Sequence, residues 1–350
     1  MKTHIERPLV VGAGLVALDV IHDTASDLIQ HRAGGTCGNV LTILSYLGWR
    51  AIPLARLRRD AAFNILIDDL RRWGVTTDYL QVAQDAATPV IVELLKSGPD
   101  GVNHRFLLRC PSCGTRLPSY RPLTLKNVEV LPDHVRRPDV FFFDRTSPAA
   151  RALAKEASRH GALVVFEPSS AHADEELERT TEVIDVLKVA ADRVPDEVLS
   201  CIPTSVLVIQ TLGSSGIRFR PRSHSRWFRL GANPVRAIRD LAGAGDWCAA
   251  GILSQLRDHE RLDDSAYITE AVNYGQALAA WTCGFVGPRG GMYEQSKEQF
   301  EDAVASILAS RVPRGINTKP KSEHNADEAI SCSECAAEIA GPPRAHRRSS

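Results

Sequence analysis

The chain has 350 residues, 44% of them hydrophobic and 24% charged, and its 42 Lys and Arg stand against 42 Asp and Glu. That balance excludes recruitment of a polyanion by net charge, so nucleic acid is not an expected partner, and no apolar run approaches the ~18 residues a membrane span needs. With no signal-type apolar stretch at Met1–Pro8 and eight cysteines, too few for a disulfide scaffold, the expectation is a cytoplasmic α/β protein of one large domain or two to three smaller ones.

In chain order, Leu9-Val10-Val11-Gly12-Ala13-Gly14-Leu15 reads as a buried strand that breaks at glycine and then turns outward to Asp19. The glycines match half of a dinucleotide fingerprint, but Val20-Ile21-His22-Asp23 continues extended where that motif requires a helix. Asp19 suits a loop cap or a ligand for substrate hydroxyls. Gly34-Gly35-Thr36-Cys37-Gly38-Asn39 then opens a helix through Leu41, Leu44 and Leu47. Adjacent glycines let a ligand approach the backbone, and Asn39 on the first turn can donate and accept at once; Thr36 as an ordinary cap is the plainer alternative. A strand at 51–55 and a helix over 60–73 follow.

Thr88 to Arg109 changes character. The runs 88–95 and 104–109 about Ser97-Gly98-Pro99-Asp100-Gly101 predict an antiparallel hairpin, a lid-like insertion in an alternating βα chain. Cys110-Pro111-Ser112-Cys113-Gly114 interrupts it as a turn in which Cys110 and Cys113 suit a zinc ion, with His104 or the tail pair Cys332 and Cys335 as further ligands, or simply a tight turn with reduced thiols. Arg109, with His104 and Arg105, is placed to meet an anionic substrate or to lie on a solvated strand face.

After Pro122 the apolar runs 139–144, 162–167, 183–189 and 205–213 alternate with helices and end in polar residues. This is the pattern of a parallel sheet covered on both faces, with ligands at its carboxyl edge. Two further strands, 216–220 and 226–230, precede Asp240-Leu241-Ala242-Gly243-Ala244-Gly245-Asp246, where three small residues open an apolar helix. Bare N–H groups and the positive end of the helix dipole at Gly243, Ala244 and Gly245 make an anion hole, and Asp246 stands in it as a candidate base. Helices are expected near 265–283 and 297–310. Past Val312 the composition turns poor in large apolar residues, so disorder is expected over 313–350.

These motifs, in this order over residues 8 to 310, resemble the ribokinase-like, or PfkB, family of small-molecule kinases. The resemblance implies one α/β domain over 8–312, a three-layer sandwich with a central, mostly parallel sheet and a small antiparallel β lid at 88–125. It implies an ATP-dependent transfer of phosphate to a hydroxyl of a sugar, nucleoside or related metabolite, with Asp246 as base and the 243–245 backbone as anion hole. By the same resemblance Asp19, Gly34, Gly35 and Asn39 hold the substrate. Lys188, Arg193, Thr211, Gly213, Gly216 and Asn273 attend ATP and magnesium, and the lid closes on substrate and mediates a homodimer. Two departures stand out. Leu241 replaces the Thr of the family's Asp-Thr-x-Gly-Ala-Gly-Asp signature, and Ala190-Ala191-Asp192-Arg193 occupies the place of its Asn-x-x-Glu, leaving Glu167 or Asp192 to help hold magnesium through water. A non-catalytic binding module on the same fold is the competing expectation.

Overall fold

The computed structural model describes residues 7–310 apart from 27, 99, 100, 173 and 236, so the tail and its Cys332 and Cys335 lie outside the described residues. The strands in chain order are β1 (Leu9–Ala13), β2 (Ala17–Asp23), β3 (Leu28–Gly34), β4 (Arg50–Leu54), β5 (Arg56–Leu57), β6 (Gln81–Val82), β7 (Val90–Gly98), β8 (Gly101–Leu107), β9 (Val140–Phe143), β10 (Leu163–Phe166), β11 (Val186–Ala190), β12 (Leu207–Thr211), β13 (Ile217–Arg220) and β14 (Phe228–Leu230). Eight of them form one sheet in the order β14-β13-β12-β11-β10-β9-β1-β4, parallel except at β12–β13 and β13–β14. Every residue of β1, β9 and β10 is buried, as the near-continuous apolar runs require of a sheet covered on both faces.

The helices bearing on the argument are α1 (Thr36–Tyr46), α2 (Ala61–Arg72), α3 (Pro148–Arg159), α4 (Ala244–Gln255), α5 (Ser265–Thr282) and α6 (Lys297–Ala309). Four of these begin on a side-chain cap: Asp60 accepts from Phe63 N, Ser147 from Ala150 N with Pro148 behind it, Asp264 from Ala266 N, and Ser296 from Gln299 N. Helices α1 and α4 instead open on Gly35 (φ 77°) and Gly243 (φ 75°) with no side-chain cap, so Thr36 is not the cap of α1. Helix α4 is apolar all round because it is packed all round. Its Gly251 lies so close to Gly275 of α5 that a Cβ there would meet the Gly275 Cα at 2.7 Å.

The lid is larger than the insertion predicted for it. A second sheet runs β3-β2-β7-β8, with β2 antiparallel to β3 and parallel to β7, so residues 17–34 supply half of it. Asp19 therefore stands inside a lid strand and not at the end of a core strand. The short chain between Ala13 and Ala17 carries the backbone from one sheet to the other, and Gly14 there explains the apparent fingerprint. A Cβ on Gly14 would lie 1.7 Å from Asp144 Oδ1, and one on Gly12 would lie 2.5 Å from Leu41 Cδ1, so both glycines answer to packing and not to a dinucleotide.

Candidate active site

The carboxyl ends of β1, β9, β10, β11 and β12 lie along one edge of the sheet, and the two glycine-opened helices begin beside each other. Asn39 on α1 donates from Nδ2 to Asp246 Oδ2 at 2.8 Å, which joins the starts of α1 and α4. Its Oδ1 accepts from Arg289 Nε at 3.1 Å, so the side chain donates and accepts as its position suggested. Burial, then Glu167, raises the Asp246 carboxyl against the Asn39 hydrogen bond and Lys188, to about 8.

The start of α4 leaves backbone donors bare, although the Ala244 N–H is taken by the Leu241 carbonyl at 3.3 Å. Gly243 holds a left-handed conformation and packs so tightly that a Cβ would fall 2.4 Å from the Pro288 carbonyl oxygen. The N–H groups of Gly245 and Asp246 meet no acceptor among the described residues, and Gly245 faces open space. Two unpaired donors at the positive end of an apolar helix are suited to an anion. Leu241, where the signature has Thr, is exposed and leaves those donors untouched.

Asp19 stands within electrostatic reach of Asp246. Asp19 is buried, its Oδ1 lacks a hydrogen-bond partner, and burial outweighs the nearby Arg289 to raise it to about 7. A Cβ on Gly34 would lie 1.8 Å from Asp19 Oδ2, and one on Gly35 would lie 2.5 Å from the Leu15 carbonyl oxygen, so both glycines are required by close approach. Asp144, at the end of β9, accepts from Leu15 N at 2.9 Å and is raised by burial, against Arg145, to about 6.

The residues expected to attend a nucleotide lie on β11, the turn after it, β12, the turn that follows β12, and α5. Thr211 ends β12, Gly213 and Gly216 flank the turn behind it with φ of 54° and 97°, and a Cβ on Gly216 would lie 2.1 Å from the Leu230 carbonyl oxygen. Asn273 lies on α5, half-buried. Arg193 is exposed on the turn after β11. Lys188 is buried, ion-paired to Glu167, and donates to the Gly245 carbonyl at 3.2 Å. Burial opposes its charge, and Glu167 more than restores it.

Arg109 is exposed and donates to the Gly114 carbonyl at 3.0 Å, on the cysteine turn. Cys110 and Cys113 are free thiols on that turn, and among the described residues no third ligand joins them; His104 points instead to Asp240, with Nδ1 3.6 Å from Oδ1.

The residue that sequence reading missed is Arg289, on the loop after α5. It is fully buried and bonds Asn39, the Ala33 carbonyl and Asp69, the last at 2.7 Å, while Tyr293 donates to Asp69 Oδ1 at 2.6 Å. The one available signal was an arginine among glycines after an apolar helix pattern. Trp281 packs edge-on to Trp247 at 4.8 Å.

A parallel sheet, a lid built from a second sheet, and two uncapped helices aimed at buried carboxylates define the ribokinase-like α/β fold. No family model matches the chain. The described body nevertheless aligns with a fructokinase from Vibrio cholerae in a fructose, ADP and potassium-bound form (TM-score 0.65, 19% identity, 86% of this chain and 99% of that one). It aligns equally with the aminoimidazole riboside kinase of Salmonella enterica bound to its riboside and an ATP analogue (TM-score 0.63, 18% identity, 85% and 99%). By sequence the chain is 25% identical over 306 residues to a protein named probable fructokinase-5 from Arabidopsis thaliana, covering 78% of this chain and 90% of that one. The resemblance to PfkB-type kinases read from the motifs thus holds along the folded body. Among the described residues no helix is long and apolar enough to cross a membrane.

Proposed function

We propose that the protein is an ATP-dependent kinase that phosphorylates a hydroxyl of a sugar or nucleoside. The observation that carries this reading is the coincidence of Asp246, held by Asn39 at 2.8 Å, with the unpartnered N–H groups of Gly245 and Asp246 at the start of α4. A base beside an anion hole is what in-line transfer of a phosphoryl group to an alcohol requires. Solved neighbours in complex with fructose and ADP, or with a riboside and an ATP analogue, support the two-ligand reading.

In this scheme Asp19, buried with a free oxygen beside the bare backbone of Gly34, orients the acceptor by its hydroxyls. Asp246 Oδ1 takes the proton of the reacting hydroxyl, and a carboxyl near 8 is well matched to that task. The Gly243–Asp246 backbone holds negative charge on the transferred group, and Lys188 keeps the loop in place through Gly245. Glu167, with a buried Oε2 lacking a partner, is the group suited to hold the nucleotide's magnesium through water. Magnesium, when bound, neutralises charge on the phosphates. The lid sheet excludes water from the reacting atoms.

Leu241 and the Ala190–Arg193 segment favour one alternative, a ligand-binding module that has lost turnover. Thermal shift against ATP with magnesium, ADP, and a panel of sugars and nucleosides separates the two, because a ligand at 100 times its Kd adds ~2.7 kcal/mol. Stabilisation by nucleotide together with one panel member, followed by ADP release on mixing them, is the expected result. Stabilisation by the panel member without ADP release would support the binding module, and no response to nucleotide would remove the kinase reading.

A further inference from the structure

Outside the site just described, one cluster of chemistry-bearing side chains has no account. Glu93 on β7 and His104 on β8 are diagonal neighbours on one face of the lid sheet, since Glu93 pairs with Phe106 and Leu95 with His104. Both meet Asp240, the first residue of the loop that opens α4. One ligand atom from each of the three lies within 4.8 Å of the others.

No backbone N–H or neighbouring side-chain donor satisfies Glu93 at this point. Glu93 is 1% exposed, and neither of its oxygens has a hydrogen-bond partner. Asp240 is equally buried, and its oxygens accept Ala242 N at 2.9 Å and Gly287 N at 2.7 Å, which leaves each with a further lone pair. His104 Nδ1 stands 3.6 Å from Asp240 Oδ1, beyond a hydrogen bond. Two buried carboxylates and an imidazole converge on one point, where Glu93 and Asp240 are close enough to share a proton. Two buried carboxylates side by side are costly unless a proton or a cation lies between them.

We propose that Glu93, His104 and Asp240 form a binding site for a divalent first-row transition ion, of the zinc or cobalt class, that latches the lid to the phosphate-binding loop. Imidazole with two carboxylates suits these ions, whereas magnesium and calcium prefer oxygen alone. Bonds of about 2.0–2.1 Å in tetrahedral array place ligand atoms about 3.4 Å apart, close to the His104–Asp240 separation. His104, with 27% of its side chain exposed, gives the ion an entry path and leaves room for water in the remaining position. Lid strands and catalytic loop would then share one bond network, so occupancy of the site restrains lid opening.

The test is titration of Co2+ into the chelator-treated full chain, without nucleotide or magnesium. One equivalent is expected to give visible d–d absorption without thiolate charge transfer in the near ultraviolet, and one equivalent of Zn2+ is expected to raise Tm. E93Q and H104Q should each weaken binding by at least ~10-fold, while a C110S/C113S double variant leaves it unchanged. Absence of stoichiometric uptake would overturn the site, as would uptake lost in C110S/C113S and kept in E93Q. Should either lid variant fail to fold, the wild-type spectrum decides: no d–d bands at one equivalent refutes the proposal, since a proton shared between Glu93 and Asp240 would then account for the cluster.

Discussion

Asn39 and Asp246 are 207 residues apart in sequence and 2.8 Å apart in space. The amide orients the carboxylate because Arg289 holds its other end. A buried arginine thus sets which Asn39 atom faces Asp246, and in the proposed mechanism the placement of the base depends on a residue two steps away.

Asp246→Asn should lower kcat by ~10²–10⁴-fold, the usual contribution of a positioned base. It should also stabilise the ligand-free fold. The folded carboxyl lies near 8 against an ordinary 3.8, so the folded state binds more protons between those values and its stability falls as pH rises through that window. Removing the carboxyl removes that loss. The Tm difference between variant and wild type, scanned from pH 5 to 9, should therefore grow with pH. A variant that retained more than a few per cent of wild-type turnover would show that Asp246 is not the base.

The rate profile follows from the same shift. Only ionised Asp246 accepts a proton, so kcat/KM should rise with pH and level off above about 8. Asn39→Asp sets a second carboxylate against the first, and like charge raises a carboxyl. Its profile should be displaced to higher pH, which a pH series on both proteins checks directly.

Arg289→Met should cost about 3 kcal/mol, since it takes the ion-pair partner from partly buried Asp69 and leaves it only the neutral donors Tyr293 and Ala33 N. Denaturant unfolding measures it. Arg289→Lys keeps the charge but not the planar fork, so kcat should fall more than stability does.

Gly34→Ala tests the substrate cradle. A Cβ 1.8 Å from Asp19 Oδ2 must displace that carboxylate, so KM for the acceptor should rise at least ~10-fold while KM for nucleotide stays within about twofold; overpacking adds a stability loss of about 1–3 kcal/mol. Equal effects on both ligands would place Asp19 outside the acceptor pocket.

Much of the fold was legible locally. The runs at 9–13, 140–143, 163–166 and 207–211 became parallel strands because continuous apolar stretches can be buried on both faces. Asp60, Ser147, Asp264 and Ser296 began helices because their side chains satisfy the first free N–H groups. Gly243 and Asp246 were readable for a related reason: small residues before an apolar helix leave donors unpaired wherever the helix lies.

Tertiary structure decided the rest. Residues 17–34 joined the lid because strand pairing is a long-range matter that no local pattern encodes. Lys188 turned inward to Glu167 and Arg109 closed on its own turn because a charged side chain takes the partner that packing brings within reach. Arg289, Asn39 and Asp246 meet only once α1, α4 and the 283–291 loop have packed. The sequence determined which residues carry reactive groups and where helices leave donors bare. Only the packed fold decided which groups are stripped of water, and it is that loss of water that raises Asp19 and Asp246 and makes their placement matter.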